Sequence, residues 1–336
     1  MHLTRRLPSK TQSESILIGI LHLIGLLCLY RDDDKKRGHP YVYPTTVILR
    51  CCVVRIWMRI PSVNALHYYL SISDIYHRRI FNACGLDNLP DRRTFDRRFK
   101  VLPIRQVIAK MGSVFLLEGL INTDTASVDS SLLKARGPVW HKSSMKKNIL
   151  PISGIDSDAR WGFSRTRGWV FGYKLHISCS TGQLVVPLSA DYTTANISDN
   201  MSYRSLVMPI AGFVENVVAD PAYDDGELYR FTNDACVARL VCPVKKYDST
   251  PPERIELVKF YNSKEGQTIY GTRKISVEPL FEILKDTFGI GILPVRGFDR
   301  SASFVLSCVF AYQLVVYHNC ITGNDRPRRV KHMLGN

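Results

Sequence analysis

The strongest constraint on how this chain folds is a change of texture near Asn122. Upstream, long apolar runs are broken by arginines rather than by turn residues. Downstream, short β-rich runs alternate with loops and helical pieces. Residues 43–60 (YPTTVILRCCVVRIWMRI) space Arg50, Arg55 and Arg59 so that one helix would gather them on a broad basic side. Ser62 is placed to cap the next helix, SVNALHYYLSISDIYHRRIF. After a loop at residues 85–90, DRRTFDRRFK predicts a short helix carrying Phe95 and Phe99, ringed by Arg92, Arg93, Arg97, Arg98 and Lys100. The expectation over residues 1–112 is an all-helical, basic domain.

Beyond residue 120 the stretches TASVDSS, WVFGYKLHISCS, QLVVPLSADY, VENVVADP and ARLVCPVKK read as strands. Helices are predicted over 200–208, 225–233 and 276–288. Strands first, then strand–helix alternation, predict an α/β domain with a mixed sheet flanked by helices over residues 120–303. An apolar helix near 304–320 and a basic tail at 326–331 make up a last segment, 304–336.

Charge narrows the function. Lys and Arg number 45 against 30 Asp and Glu, a net +15, and such a field attracts polyanions. Nucleic acid is the commonest of these inside cells; acidic lipid is the alternative. The arginine-rich helix over 92–100 suits phosphate contact or a helix-turn-helix recognition element, or else is a solvated amphipathic helix. Nine cysteines form no C-x-x-C, which speaks against a zinc ribbon or a thioredoxin-like site. Thiols scattered among hydrophobes predict a reduced, cytoplasmic protein. Residues 16–30 (ILIGILHLIGLLCLY) follow Arg5, Arg6 and Lys10 as a leader would. The run is shorter than the roughly 20 residues that span a bilayer and carries His22, so a buried helix is expected and a membrane partner is not.

Three acids stand where a metal site would want them. Asp129 follows an expected strand at 126–128, and Asp220 ends one at 216–219, where Pro221 cannot donate to a ladder. Glu278 opens the predicted helix, whose Val277, Phe281, Leu284 and Phe288 form an apolar stripe; Lys285 shares the face of Glu278. Carboxylates from strand ends and a facing helix can converge at a sheet's carboxyl edge. Gathered acids repel, and Mg²⁺ or Mn²⁺ neutralises them. Two such ions about 3.5–4 Å apart can activate a hydroxyl and stabilise the leaving oxygen of a phosphodiester. Asp124 competes with Asp129, and Asp220 taken alone reads equally as a turn former.

These stretches resemble the DDE transposase domain of prokaryotic insertion sequences, whose catalytic core is RNase H-like. SVDSS, GYKLHISCSTG, TTANISD, VVADPAYDD, VEPLFEILK and RGFDR carry the resemblance, and NLPDRRTFDRRF is similar to the family's helical N-terminal region. The resemblance implies that Asp129, Asp220 and Glu278 are catalytic and hold two divalent ions, Mg²⁺ or Mn²⁺, with Lys285 on a DNA phosphate. The family's signature spaces Tyr, Arg, Glu and Lys by two, three and six residues. Tyr270 and Arg273 keep their mutual spacing, but Lys274 stands at the expected Arg position, so either Arg273 or Lys274 takes that phosphate role. The implied partners are double-stranded DNA, as terminal inverted repeats and target, and a second copy in the DNA complex, with no small-molecule substrate. The implied location is the prokaryotic nucleoid. A catalytically inactive or repurposed DNA-binding descendant is the alternative. Among the neighbours, His176 is expected to be a core histidine, Asp156 and Asp158 solvated turn residues, and Asp224 and Asp225 helix caps. Trp140 and Trp169 either pack or stack on an extruded base.

Overall fold

The computed structural model describes residues 10–32, 41–165, 167–244 and 252–331. The helical part runs α1 (Lys10–Leu26), α2 (Thr45–Trp57), α3 (Val63–Ser71), α4 (Ile75–Ala83), α5 (Arg92–Lys100) and α6 (Ile104–Leu117). Next come β1 (Thr125–Lys134), α7 (Lys142–Lys146), β2 (Arg160–Ser164), β3 (Gly168–Ser180), β4 (Pro187–Thr194) and α8 (Asn200–Val207). The chain continues through β5 (Asn216–Ala219), α9 (Gly226–Asp234), β6 (Arg239–Val241), α10 (Pro252–Asn262), α11 (Lys264–Thr287) and α12 (Phe298–Ile321). Two compact units result, one of the described residues up to Val107 with those from Asp299 onward, the other Ile108–Phe298.

The first unit is built around α12. This helix is apolar on all sides and therefore needs cover all round; Val305, Val309, Tyr312 and Val316 are all fully buried or nearly so. It is long and apolar enough to cross a membrane by length and composition, yet most of it is buried inside the protein. Cys52 of α2 donates to Ser307 Oγ of α12 at 3.0 Å. In α1, Leu17, Ile20, Leu21 and Ile24 recur at helical spacing and are fully buried, as expected for a core helix.

The arginines of α2 do not form the basic side that their spacing suggests. Arg55 is buried and donates to the carbonyls of Ile60 and Pro61, which satisfies the chain just past the helix end. Arg50 donates to Leu21 O of α1. Ser62 caps α3 as expected, accepting from Ala65 N at 3.1 Å. In α5, Phe95 and Phe99 are buried, while Arg92, Arg93 and Arg97 are exposed. Arg98 is buried; it donates to Tyr43 O and Thr45 Oγ1, and its guanidinium lies over the Tyr41 ring.

The second unit holds one mixed sheet. β1 lies at its centre, antiparallel to β3 on one side and parallel to β5 on the other, with β6 parallel beyond β5. The far edge of β3 pairs first with β2 and then with β4, both antiparallel. At Gly172 both edges are engaged, by Lys134 and Arg160, and a Cβ there would overlap the Leu133 carbonyl. Only glycine fits so close a backbone approach. Side chains alternate across a sheet, so Asp129 and Ser131 share one face with α11, and Ser189 opposite donates to Leu206 O of α8.

Two expectations change here. β1 does not stop at Val128 but runs to Lys134, because continuous pairing with β3 outweighs the weak strand propensity of Asp129, Ser130 and Ser131. The helix expected from residue 276 begins at Lys264: Pro279 and Gly271 lie inside it, residues that by themselves argue for an end or a start. β2, which had no counterpart in the sequence reading, forms a hairpin with β3.

Candidate active site

β5 ends at Ala219, paired with Val128, so Asp220 and Asp129 take the next positions on neighbouring parallel strands. Past this point β1 continues without β5 beside it. Both acids thus stand at the carboxyl edge of the parallel strands, where α/β sheets place their ligands. Asp220 is held by Ala222 N at 2.9 Å, and Asp129 by Ser130 N at 2.8 Å.

Helix α11 faces them. Arg273 donates to Asp129 Oδ2 at 2.6 Å and lies 3.5 Å from Glu278 Oε1. Lys274, one position on, is exposed. Of the two, Arg273 faces the acids. Lys285, farther along the helix, donates to Ser131 Oγ. Tyr270 stacks edge-on against Tyr261 of α10 at 5.2 Å, on the same helix as Arg273.

The electrostatics show how close these groups are. Burial pushes the Asp129 carboxyl up to about 6 against the pull of Arg273, with Asp220 and Asp199 adding to the rise. Burial also raises Asp220, and Asp199 adds to it. Lys285 falls to about 8, first by burial and then by the Arg167 charge. Glu278 is half exposed and meets the aspartates only through Arg273. Among the described residues no group of three His, Cys, Asp or Glu side chains stands close enough to hold a metal ion. The donor chemistry nevertheless fits a hard divalent cation. Asp129 and Asp220 are oxygen donors, and the Asp220 charge already helps to raise Asp129. The Arg273 guanidinium meets part of that charge.

Two further groups that sequence reasoning did not single out feel the charge of these acids or act on it. Asp199 accepts from Lys174 Nζ at 2.7 Å on the α8 face of the sheet, and Lys174 also donates to Ile197 O. Its position at the end of TTANISD is the one sequence signal for it. The Tyr223 hydroxyl is fully buried with no hydrogen-bond partner among the described residues. Burial raises its pKa well above the usual value, and Asp199, Asp129 and Asp220 reinforce the rise.

The neighbours sort differently from expectation in part. His176 is a core residue as expected, fully buried, with Nε2 2.9 Å from Thr193 Oγ1; burial lowers it to about 4. Asp156 is not a solvated turn residue but is buried, accepting from Tyr173 OH and Gly297 N. Asp158 accepts from Phe298 N, so both acids fasten the same end of the unit. Asp225 caps α9 as expected, whereas Asp224 takes Arg254 in two contacts of 2.7 and 2.9 Å. Asp124 is exposed before β1, bonded to Asn122. Trp140 donates to Ile149 O, and Trp169 is 57% exposed.

The family model described as "Transposase DDE domain" matches residues 122–314, more than half of the chain. The chain belongs to this family, and its class is that of the DDE transposases, which generally act with divalent metal ions on DNA. In structure, the chain is similar to the transposase in "Cryo-EM structure of piggyBac transposase synaptic complex with hairpin DNA (SNHP)", at 11% identity and a TM-score of 0.41. That match covers 98% of this chain and 81% of the other. A search of the curated proteins found no match to this chain.

Proposed function

We propose that this chain is the transposase of a prokaryotic insertion sequence, cutting DNA at the element's ends and joining the freed 3′-hydroxyl to target DNA. The observation that carries this reading is the placement of Asp129 and Asp220 on adjacent parallel strands, faced by Arg273, Glu278 and Lys285 from one helix. The strand order β4–β3–β1–β5–β6, antiparallel then parallel, supports an RNase H-like core.

Asp129, Asp220 and Glu278 would hold Mg²⁺ or Mn²⁺, two ions in the full site. When bound, such ions would supply the positive charge that activates a hydroxyl and stabilises a leaving oxygen. The chain's own residues do the positioning. Lys285 places an ammonium beside Ser131 of β1 as a point charge for a phosphate. Arg273, released from Asp129, offers a planar fork to a second phosphate oxygen. Tyr270 lies one helical turn from Arg273 and widens that phosphate-facing stripe. In the helical unit, exposed Arg92, Arg93 and Arg97 contact the DNA backbone of the terminal inverted repeats. Pairing two ends calls for a second copy of the chain in the DNA complex, and the reduced cysteines fit a cytoplasmic, nucleoid-associated enzyme.

The test is cleavage of a duplex bearing the element's end, with and without Mg²⁺. Metal-dependent nicking that leaves a 3′-hydroxyl is expected, and Asp220→Ala abolishes it. Undiminished nicking by that variant removes Asp220 from the site.

A further inference from the structure

Between β1 and β2 the chain forms a loop whose backbone is fixed and whose apolar side chains face outward. Trp161 of β2 donates to Trp140 O at 2.7 Å, Trp140 donates to Ile149 O at 3.2 Å, and Ile149 N donates to Ser144 O at 3.0 Å. Pro151 fixes one more backbone angle in the same stretch. Ile149, Leu150 and Ile152 are nevertheless 52%, 84% and 71% exposed. Residues 136–155 also hold Arg136, Lys142, Lys146 and Lys147, with no Asp or Glu. Apolar side chains clustered on a held, basic loop mark a surface made for a partner.

At the other edge of the sheet lies a groove of opposite character. Its volume is about 1100 Å³, it is lined by α9, β6 and α10, and Leu257 and Phe260 give it an apolar wall. Val237 lines it too, with φ at 53° and its side chain 77% exposed. The left-handed backbone is strained for a β-branched residue, and in the single chain an exposed side chain gains nothing in return. Charge also sets the groove apart in a chain of net +15. With Arg239 4.0 Å from Glu265 and Arg254 bound to Asp224, its other charges are Glu215, Asp234 and Glu256 against Arg230.

The loop cannot reach this groove within one chain. It is tied to β2, and β3, β1 and β5 stand between β2 and β6, four spacings of about 4.8 Å or about 19 Å. Resting on the pairing of two copies proposed above, we infer that the groove takes Ile149, Leu150 and Ile152 from a second copy of the chain. A twofold axis makes the exchange reciprocal. The basic loop then meets the acidic groove, and apolar side chains exposed on each copy are covered in the pair. A DNA duplex fits neither half, because the groove acids repel phosphate and the aliphatic side chains offer it no hydrogen bond.

The experiment is sedimentation equilibrium on the full chain, alone and with a duplex bearing the element's end, with Mg²⁺-dependent nicking measured in parallel. The wild type is expected to sediment as a dimer across the micromolar range. Leu150→Asp and Val237→Asp should each weaken the dimer about tenfold or more, since each sets a charge into an apolar contact made twice per pair. Both side chains lie on the surface, and Asp tolerates the left-handed backbone at residue 237 better than Val, so both variants should fold. Circular dichroism checks this. An equimolar mixture of the two variants should regain part of the association, because Leu150 of one copy then meets the intact groove of the other. A wild type that is monomeric with and without the duplex overturns the interface, as do variants that dimerise like the wild type or a mixture that regains nothing. Nicking that persists in any of these cases leaves the cleavage reading standing. Leu150→Asp that keeps the dimer but loses affinity for the duplex assigns the loop to DNA instead. The expected dimers without any nicking uphold the interface and sink the cleavage reading.

Discussion

Arg273 of α11 donates to Asp129 of β1 at 2.6 Å, which places a guanidinium against a carboxylate that burial would otherwise leave without a counter-charge. The same side chain lies 3.5 Å from Glu278. One cation therefore links the central strand to the helix that bears the third acid. With the carboxylates holding a divalent ion, as proposed, Arg273 would be released from Asp129 and could take a phosphate.

Arg273→Ala is accordingly expected to lower Mg²⁺-dependent strand cleavage about 100-fold or more, the range for removing one charge-stabilising donor. Lys274→Ala, at an exposed position, should leave cleavage within about threefold. Parallel rate measurements on the two variants decide the matter. The reverse ranking would move the phosphate role to Lys274.

Asp129→Asn leaves Arg273 without its carboxylate at every pH, but it should gain stability relative to the metal-free wild type as pH rises. The folded carboxyl titrates near 6, above its unfolded value, so the folded state binds more protons between the two. Stability from this group is full below about pH 4 and is lost as pH rises through about 6, a cost on the order of 3 kcal/mol. Urea denaturation from pH 4 to 8 without metal should show the Asn variant gaining on the wild type as pH rises. Parallel curves would contradict this, and saturating Mg²⁺ should cancel the gain.

The arginines of α5 should divide by burial. Arg92→Gln, Arg93→Gln and Arg97→Gln together are expected to leave thermal stability nearly unchanged and to flatten the salt dependence of DNA binding by about 2–3 in log–log slope. Arg98→Ala should instead destabilise the protein, because its guanidinium serves Tyr43 O and Thr45 Oγ1 from inside the unit. Binding titrations at several salt concentrations, with melting curves alongside, separate the two. An unchanged slope in the triple variant would place the DNA elsewhere.

Asp199→Ala leaves Lys174, 12% exposed, without its carboxylate partner. Breaking so buried a pair costs about 3–5 kcal/mol, and Lys174→Met added to Asp199→Leu should return part of it. Losing the Asp199 charge also lowers the pKa of Asp129, so the acidic limb of the cleavage profile should move to lower pH. Denaturation midpoints and a pH–rate profile test the two halves separately. A stable single variant with an unmoved acidic limb would leave Asp199 no part in the site.

Local signals in this sequence determined a great deal. The Ser62 and Asp225 caps, the buried stripe of α1, the strands around β3 and the acids at residues 129, 220 and 278 are all legible as residue types at short spacings. What tertiary structure decided are matters of pairing and reach. β3 carries β1 past its polar Asp-Ser-Ser stretch, and α11 continues through Gly271 and Pro279 because Val277, Leu280 and Leu284 are buried within the unit. Spacing alone left Arg273 and Lys274 equivalent; they differ only in which one points at Asp129. Burial of Arg55, Arg98 and Asp156, and the approach of Asp199 and Tyr223 to the acids, arise from residues far apart in the chain. Helix periods and caps are written within a few positions of sequence, whereas desolvation and charge proximity exist only once distant segments have packed.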